Sequence, residues 1–265
     1  MATRKPSSKK AKRRSTPAPA IKSAATATLY AARVVTLSDV RSGDPEMQPD
    51  NPQYGKRFLG EGDSWFSYSS VPHSANVLQQ LRLPVSAIVL SLAQAGDTIR
   101  HMSAIASNPL LARYLAHPNF ASNWNAILLS GGGNDLIEAV GRIIVAGTGT
   151  APDAWINAAA LKATLDDIVE NYGRIATARD APGSVNAGKP IVVHTYDYPT
   201  SNNAPATFLG FPAVGPWFWR RFETLGLADP ALRAAITGRV LDWLNEIHPN
   251  SGGYRKIADR ICRLL

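Results

Sequence analysis

Four short stretches of this chain end in residues that acid–base and nucleophilic chemistry uses: Gly62-Asp63-Ser64, Gly96-Asp97-Thr98, Gly132-Gly133-Asn134-Asp135 and His248-Pro249-Asn250. A serine hydroxyl attacks a carbonyl poorly until a base within hydrogen-bond reach accepts its proton, and an imidazole with a pKa near neutrality suits that task. The carbonyl oxygen becomes negative in such an attack, so it needs donors that bring no charge of their own, which a side-chain amide supplies. Ser64, His248 and Asn134 have the types for this chemistry. Taken alone, Gly-Asp-Ser is also a common turn composition, so the elements that carry it decide its meaning.

Those elements alternate. Phe58 to Glu61 reads as a buried strand that stops at Gly62, where the backbone turns and presents Ser64 at its tip. Ala75 to Leu83 is expected to be helical, and Val85 to Leu90 a second strand running toward Gly96, with Asp97 as N-cap of the helix after it. Pro109 to Ala116 has helical spacing. Ala126 to Ser130 is a third strand leading straight into three glycines, and helical periodicity follows over 134–145 and 154–178. Pro190 to Tyr196 is a fourth strand. A Pro- and Asn-rich loop is expected over 198–216, then helices over 230–246 and 253–265. Strands alternating with helices imply parallel crossovers and helices on both faces of one sheet. The polar stretches thus gather at the carboxyl edge, where open α/β sheets bind their ligands.

In this order and spacing the four stretches resemble the sequence blocks of the SGNH, or GDSL-type, serine hydrolases, over residues from about 56 to 265. The resemblance implies a three-layer α/β/α sandwich with a mostly parallel sheet of about five strands. It also implies a carboxylic-ester hydrolase of esterase or lipase type. Ser64 would be the nucleophile and His248 the base; the Ser64 and Gly96 backbone N–H groups and the Asn134 amide would form the oxyanion hole. No cofactor and no metal are implied. His117 is likewise followed by Pro and Asn, but only His248 precedes a Ser-Gly-Gly-Tyr segment and a last helix, as the family's histidine does. Asp63 and Asp135 are expected to brace turns or cap helices rather than react.

One departure from the family concerns the histidine's partner. Its usual aspartate, three residues earlier, is replaced by Asn245, and in a serine protease such an exchange costs roughly 10⁴-fold in kcat. Asn245 and Asp197 are therefore candidates for orienting the imidazole, ahead of Asp242 and Glu246. The aromatic groups Trp65, Tyr68, Phe208, Phe211, Trp217, Phe218 and Trp219 are candidates for an acyl pocket or for core. Two other functions suit the same residues: an acyltransferase using the Ser64–His248 pair, and a catalytically weak polyanion-binding protein.

The polyanion reading comes from charge. Residues 1–24 hold eight Lys and Arg and no acid, so the formal charge of +8 resides there, and the rest of the 265-residue chain balances 20 basic against 20 acidic groups. A segment this charged, with few large apolar groups, is expected to be disordered over 1–26 and to make weak contacts with nucleic acid or an anionic surface. Residues 27–55 are expected to be a connector, and 56–265 the folded domain. No apolar run suits a secretory leader or a membrane span, and the lone Cys262 fits a reducing compartment, so the sequence points to the cytoplasm. A small-molecule or lipid ester is the expected substrate.

Overall fold

The computed structural model describes residues 28–67, 76–106, 108–199, 201–204, 206–208 and 211–247, with the backbone alone for 206–208, 211–214 and 247. The basic tail, His248 and the helix expected over 253–265 lie outside the described residues.

Three apolar segments form the interior of a sheet, and two further strands border it. They are β2 (Arg33–Thr36), β3 (Lys56–Gly62), β5 (Ala87–Ser91), β6 (Ala126–Ser130) and β7 (Ile191–Val193), in the spatial order β2-β5-β3-β6-β7 with every pairing parallel. Side chains alternate between the two faces, as strand geometry requires. Leu59, Ile88, Leu90, Ile127 and Leu129 face one helical layer, while Phe58, Val89, Leu128, Ala87 and Ala126 face the other side. Burying each large apolar side chain contributes about 1.5–3 kcal/mol, so these near-continuous apolar runs hold the sheet between its layers.

The crossovers place the layers. From β3 the chain passes through α2 (Ser64–Ser67) and β4 (Arg82–Leu83), which pairs antiparallel with β1 (Tyr30–Ala31), to its neighbour β5. From β5 it crosses to the other side of β3, through α3 (Ile99–Ser103) and α4 (Pro109–Ala116), to reach β6. Then α5 (Gly133–Ile143) and α6 (Ala158–Arg179) lead to β7. Right-handed crossovers that move in opposite directions along a sheet lie on opposite faces. Accordingly Phe66 of α2 packs on the Phe58 face, whereas α3 to α6 pack on the Leu59 face. The direction of winding reverses between β3 and β6, and the crevice of a doubly wound sheet opens outside the strand ends there. After β7 a hairpin of β8 (Ala206–Phe208) and β9 (Phe211–Val214) precedes α7 (Trp219–Thr224) and α8 (Pro230–Ile247).

The mostly parallel α/β/α fold and most element positions agree with the sequence expectations, and three local expectations need correction. Residues 27–55 are more than a connector, since β2 is an edge strand of the main sheet with Val35 buried in the core, and α1 (Leu37–Arg41) follows it. The helix expected over 75–83 is, where described, a single 3-10 turn over Leu78–Gln80 followed by β4. Leu83 precedes Pro84, which disfavours helical backbone, and the β1 segment supplies pairing partners. The loop expected over 198–216 holds the β8–β9 hairpin.

Candidate active site

Ser64 begins α2 immediately past the end of β3. The turn is fastened by Asp63, whose carbonyl accepts from the N–H groups of Phe66 and Ser67 and whose Oδ1 accepts from Trp65 N–H at 3.0 Å. Close packing of β3 on β6 fixes where this turn sits. Gly62 lies opposite Ser130, and a Cβ at residue 62 would fall 2.6 Å from the Ser130 Cβ, so only glycine permits this register. Beyond β6, Asn134 sits in the first turn of α5 and its Nδ2 donates to the Asp97 carbonyl at 2.7 Å. One amide hydrogen is thereby anchored. The second remains for another acceptor.

Ser64 and Asn134 line the same small cleft of about 70 Å³, together with Trp65, Ile137, Tyr196 and Trp217. Trp65 and Trp217 are each 39% exposed, so the cleft has aromatic walls open to solvent. Phe218 and Leu241 also contribute, whereas Trp219 instead lies against the Arg233 guanidinium, 4.5 Å from its ring centroid. Tyr68 and the Phe208 and Phe211 side chains lie outside the described residues.

Gly96 stands at the tip of the loop after β5 with φ of +83°, a left-handed conformation that favours glycine. It is exposed and does not line the cleft, but the adjoining Asp97 carbonyl ties this loop to Asn134. The Asp97 side chain does not cap α3 as expected. Thr98 does so, accepting from His101 N–H, while Asp97 Oδ1 accepts from Thr98 N–H and faces His101 Nδ1 at 2.6 Å. Asp135 caps the same helix from across the layer, accepting from the N–H groups of Ile99 and Arg100, and burial raises its pKa. It was expected to cap its own helix.

The two candidates for orienting an imidazole are engaged elsewhere. Asn245 Oδ1 accepts from Tyr196 N–H and Nδ2 donates to the Tyr196 carbonyl, both at 3.0 Å, so the amide extends the end of β7 as a neighbouring strand would. Asp197 is exposed and accepts from Tyr198 N–H. Asp242 accepts from the Tyr198 hydroxyl, and Glu246 is exposed.

Sequence reasoning missed a buried hub around Asp63, a residue only 2% exposed. Its Oδ1 accepts from Ser130 Oγ at 2.6 Å and its Oδ2 from Tyr196 Oη at 2.8 Å; Ser130 Oγ also lies 2.7 Å from His194 Nε2. The alternation of β7 gave the available signal, because residues two apart past a strand end share a side, and His194 and Tyr196 are such a pair. Glu61 was missed as well. Buried at 1% exposure, it has its pKa raised to about 8, chiefly by burial and further by the charge of Asp97, against the lowering effect of Gly62 N–H. Among the described residues, no cluster of three His, Cys, Asp or Glu could hold a metal, and no helix is long and apolar enough to cross a membrane.

No protein-family profile matches the sequence, and no curated protein does. Some solved structures are loosely similar. An acetyl-xylooligosaccharide esterase from Geobacillus stearothermophilus, in a mutant form, aligns at 14% identity and a TM-score of 0.32, over 80% of this chain and 92% of its own. An α/β hydrolase enzyme from the metagenome of Lake Arreo, Spain, aligns at 11% identity and a TM-score of 0.28, over 80% and 93%. A Bacillus subtilis protein aligns at 16% identity and a TM-score of 0.29, over 81% of this chain and 56% of its own.

Proposed function

We propose that this protein is a carboxylic-ester hydrolase of the SGNH type, in which Ser64 attacks the ester carbonyl and His248 takes the serine proton. The observation that carries the reading is the meeting of Ser64 and Asn134, from the ends of β3 and β6, in one cleft at the point where the sheet reverses its winding. The hydroxyl of Ser64 would add to the carbonyl carbon, its proton passing to His248. The negative oxygen would be met by the free Asn134 amide hydrogen and by the backbone N–H of Ser64. Collapse then expels the alcohol with the proton from His248, and water, activated by the same imidazole, releases the acid.

Support for His248 comes from α8, which ends at Ile247, the residue before it, and whose last turn Asn245 fastens to Tyr196, a wall of the cleft. With Asn245 committed to backbone, the pair would work as a dyad. The test is stoichiometric labelling of Ser64 by an organophosphonate, followed by turnover of p-nitrophenyl esters of increasing chain length. Labelling and hydrolysis that both vanish in Ser64→Ala support the reading; esterase activity retained in purified Ser64→Ala overturns it.

A further inference from the structure

Across the carboxyl edge of the sheet, on the face that packs against Phe66, three side chains from adjacent strand ends stand in line: His194 after β7, Ser130 at the end of β6 and Asp63 after β3. All are buried, with Ser130 fully so and His194 5% exposed. The partners of each atom can be counted. His194 Nδ1 lies 2.9 Å from the Thr195 carbonyl, an acceptor, and so carries a hydrogen. Among the described residues its Nε2 faces only Ser130 Oγ, at 2.7 Å, and that same Oγ is 2.6 Å from Asp63 Oδ1. A hydroxyl has one hydrogen and the line has two short gaps. With a neutral imidazole and an ionised carboxylate, one gap would hold lone pair against lone pair. The line would also be a net negative charge buried against the rings of Trp65, Phe66 and Tyr196.

We propose that Asp63, Ser130 and His194 share one additional proton at neutral pH, and that this proton makes His194 a positioning residue for Ser64. The proton sits in either of two arrangements: Nε2–H donating to Oγ with Oγ–H donating to Oδ1, or, one step along, Oγ–H donating to Nε2 with a protonated Oδ1 donating to Oγ. Both fill each gap and leave the line without net charge. It titrates as a unit rather than as separate groups. Burial pushes the His194 pKa down, while the Thr195 carbonyl and the Asp63 charge push it up. Among the described residues, the other titratable groups bearing on the line are the phenols of Tyr196 and Tyr172, both held well above their ordinary pKa by burial and by the charge of Asp63, joined at Tyr172 by that of Asp135. Tyr196 closes the frame, donating to Asp63 Oδ2 and accepting from Gly133 N–H, at a distance that a Cβ on residue 133 would block. The hold passes to the nucleophile because the same Asp63 carboxyl fastens Trp65 N–H. Loss of the proton leaves lone pair against lone pair in one gap, and that repulsion displaces the Asp63 carboxyl that fastens the turn.

This rests on the ester-hydrolase reading only for its kinetic readout. With p-nitrophenyl butyrate as probe, kcat against pH should rise as His248 loses its proton and fall again at alkaline pH as the shared proton leaves. His194→Gln replaces the titrating Nε2 by a permanent amide donor to Ser130 Oγ, so it should keep the acid limb and lose the alkaline one. His194→Leu should lower kcat roughly 10- to 100-fold with little change in KM. An alkaline limb that persists unchanged in His194→Gln overturns the proposal. Independently of turnover, the His194 ring 15N shifts of the wild-type protein should titrate alkaline of neutrality, and in Ser130→Ala the step should move to the acid side, where a buried lone imidazole belongs. A His194 step at the same pH in both proteins also overturns it. Turnover surviving Ser64→Ala would sink the hydrolase reading and leave the NMR result to judge the shared proton.

Discussion

At the scale of single residues, the proposed reaction gives three groups unequal roles. Ser64 and His248 are proposed to act as one unit, so Ser64→Ala, His248→Ala and the double variant should lose similar activity, because removing either member already disables the other. Separate losses that add in the double variant, measured as kcat on one soluble ester, would show that the two do not form a pair. Asn134→Ala should behave differently. In the proposed mechanism it would remove one oxyanion donor while the nucleophile and base remain, and such a loss typically lowers kcat by about 10²- to 10³-fold. Asn134 Nδ2 also tethers the Gly96 loop through the Asp97 carbonyl, so KM should shift as that loop loosens. A variant with KM raised and kcat intact would mean that Asn134 binds substrate and transition state alike.

The elements explain why the order of blocks was readable and their partners were not. Apolar runs ending in glycine mark β3 and β6 without help from the rest of the chain, and their parallel pairing follows from the helices between them. Long-range partners leave no such local trace. Nothing adjacent to Asn245 in sequence signals that its amide pairs with the backbone of Tyr196, and nothing around β2 signals that a short Val-Val run completes a sheet edge. The same limit hid His194, whose partner Ser130 is 64 positions away. Two substitutions probe these joints. Gly62→Ala puts a methyl 2.6 Å from the Ser130 Cβ and 2.8 Å from its carbonyl oxygen, so β3 and β6 must part, at a cost of about 1–3 kcal/mol. Asn245→Asp, which supplies the acid usual in the resembled family, also removes the donor to the Tyr196 carbonyl and sets a carboxylate beside it. It should lower stability by about 1–3 kcal/mol and bring no gain in kcat. Urea unfolding together with kcat decides it, and a faster enzyme would show that residue 245 faces His248 rather than β7.

At the scale of the whole molecule, charge divides the chain into a basic segment and a balanced remainder, and pH acts on the latter through buried groups. Deleting residues 1–24 should leave thermal stability and turnover of a soluble ester unchanged and weaken only low-salt adsorption to nucleic acid or anionic vesicles. A large fall in melting temperature would show that this segment packs on the domain. The stronger lever on global stability is Glu61, on the same sheet face as Leu59 and under the Asp97 loop. Its pKa rises from 4.5 to about 8, first by burial and then by the neighbouring charge of Asp97. A carboxyl that is harder to ionise folded than unfolded favours the fold fully below pH 4.5, and this advantage drains away as pH climbs toward 8. Each unit of pH across that window removes about 1.4 kcal/mol, or on the order of 5 kcal/mol in all. Glu61→Gln keeps the carbonyl that accepts from Gly62 N–H and cannot ionise. Urea midpoints of the two proteins should therefore diverge as pH rises from 5 to 8, with the variant the more stable at the upper end. His194 titrates in both, so the difference between them isolates Glu61, and midpoints that run parallel across this range would show that its carboxyl is not held protonated in the folded state.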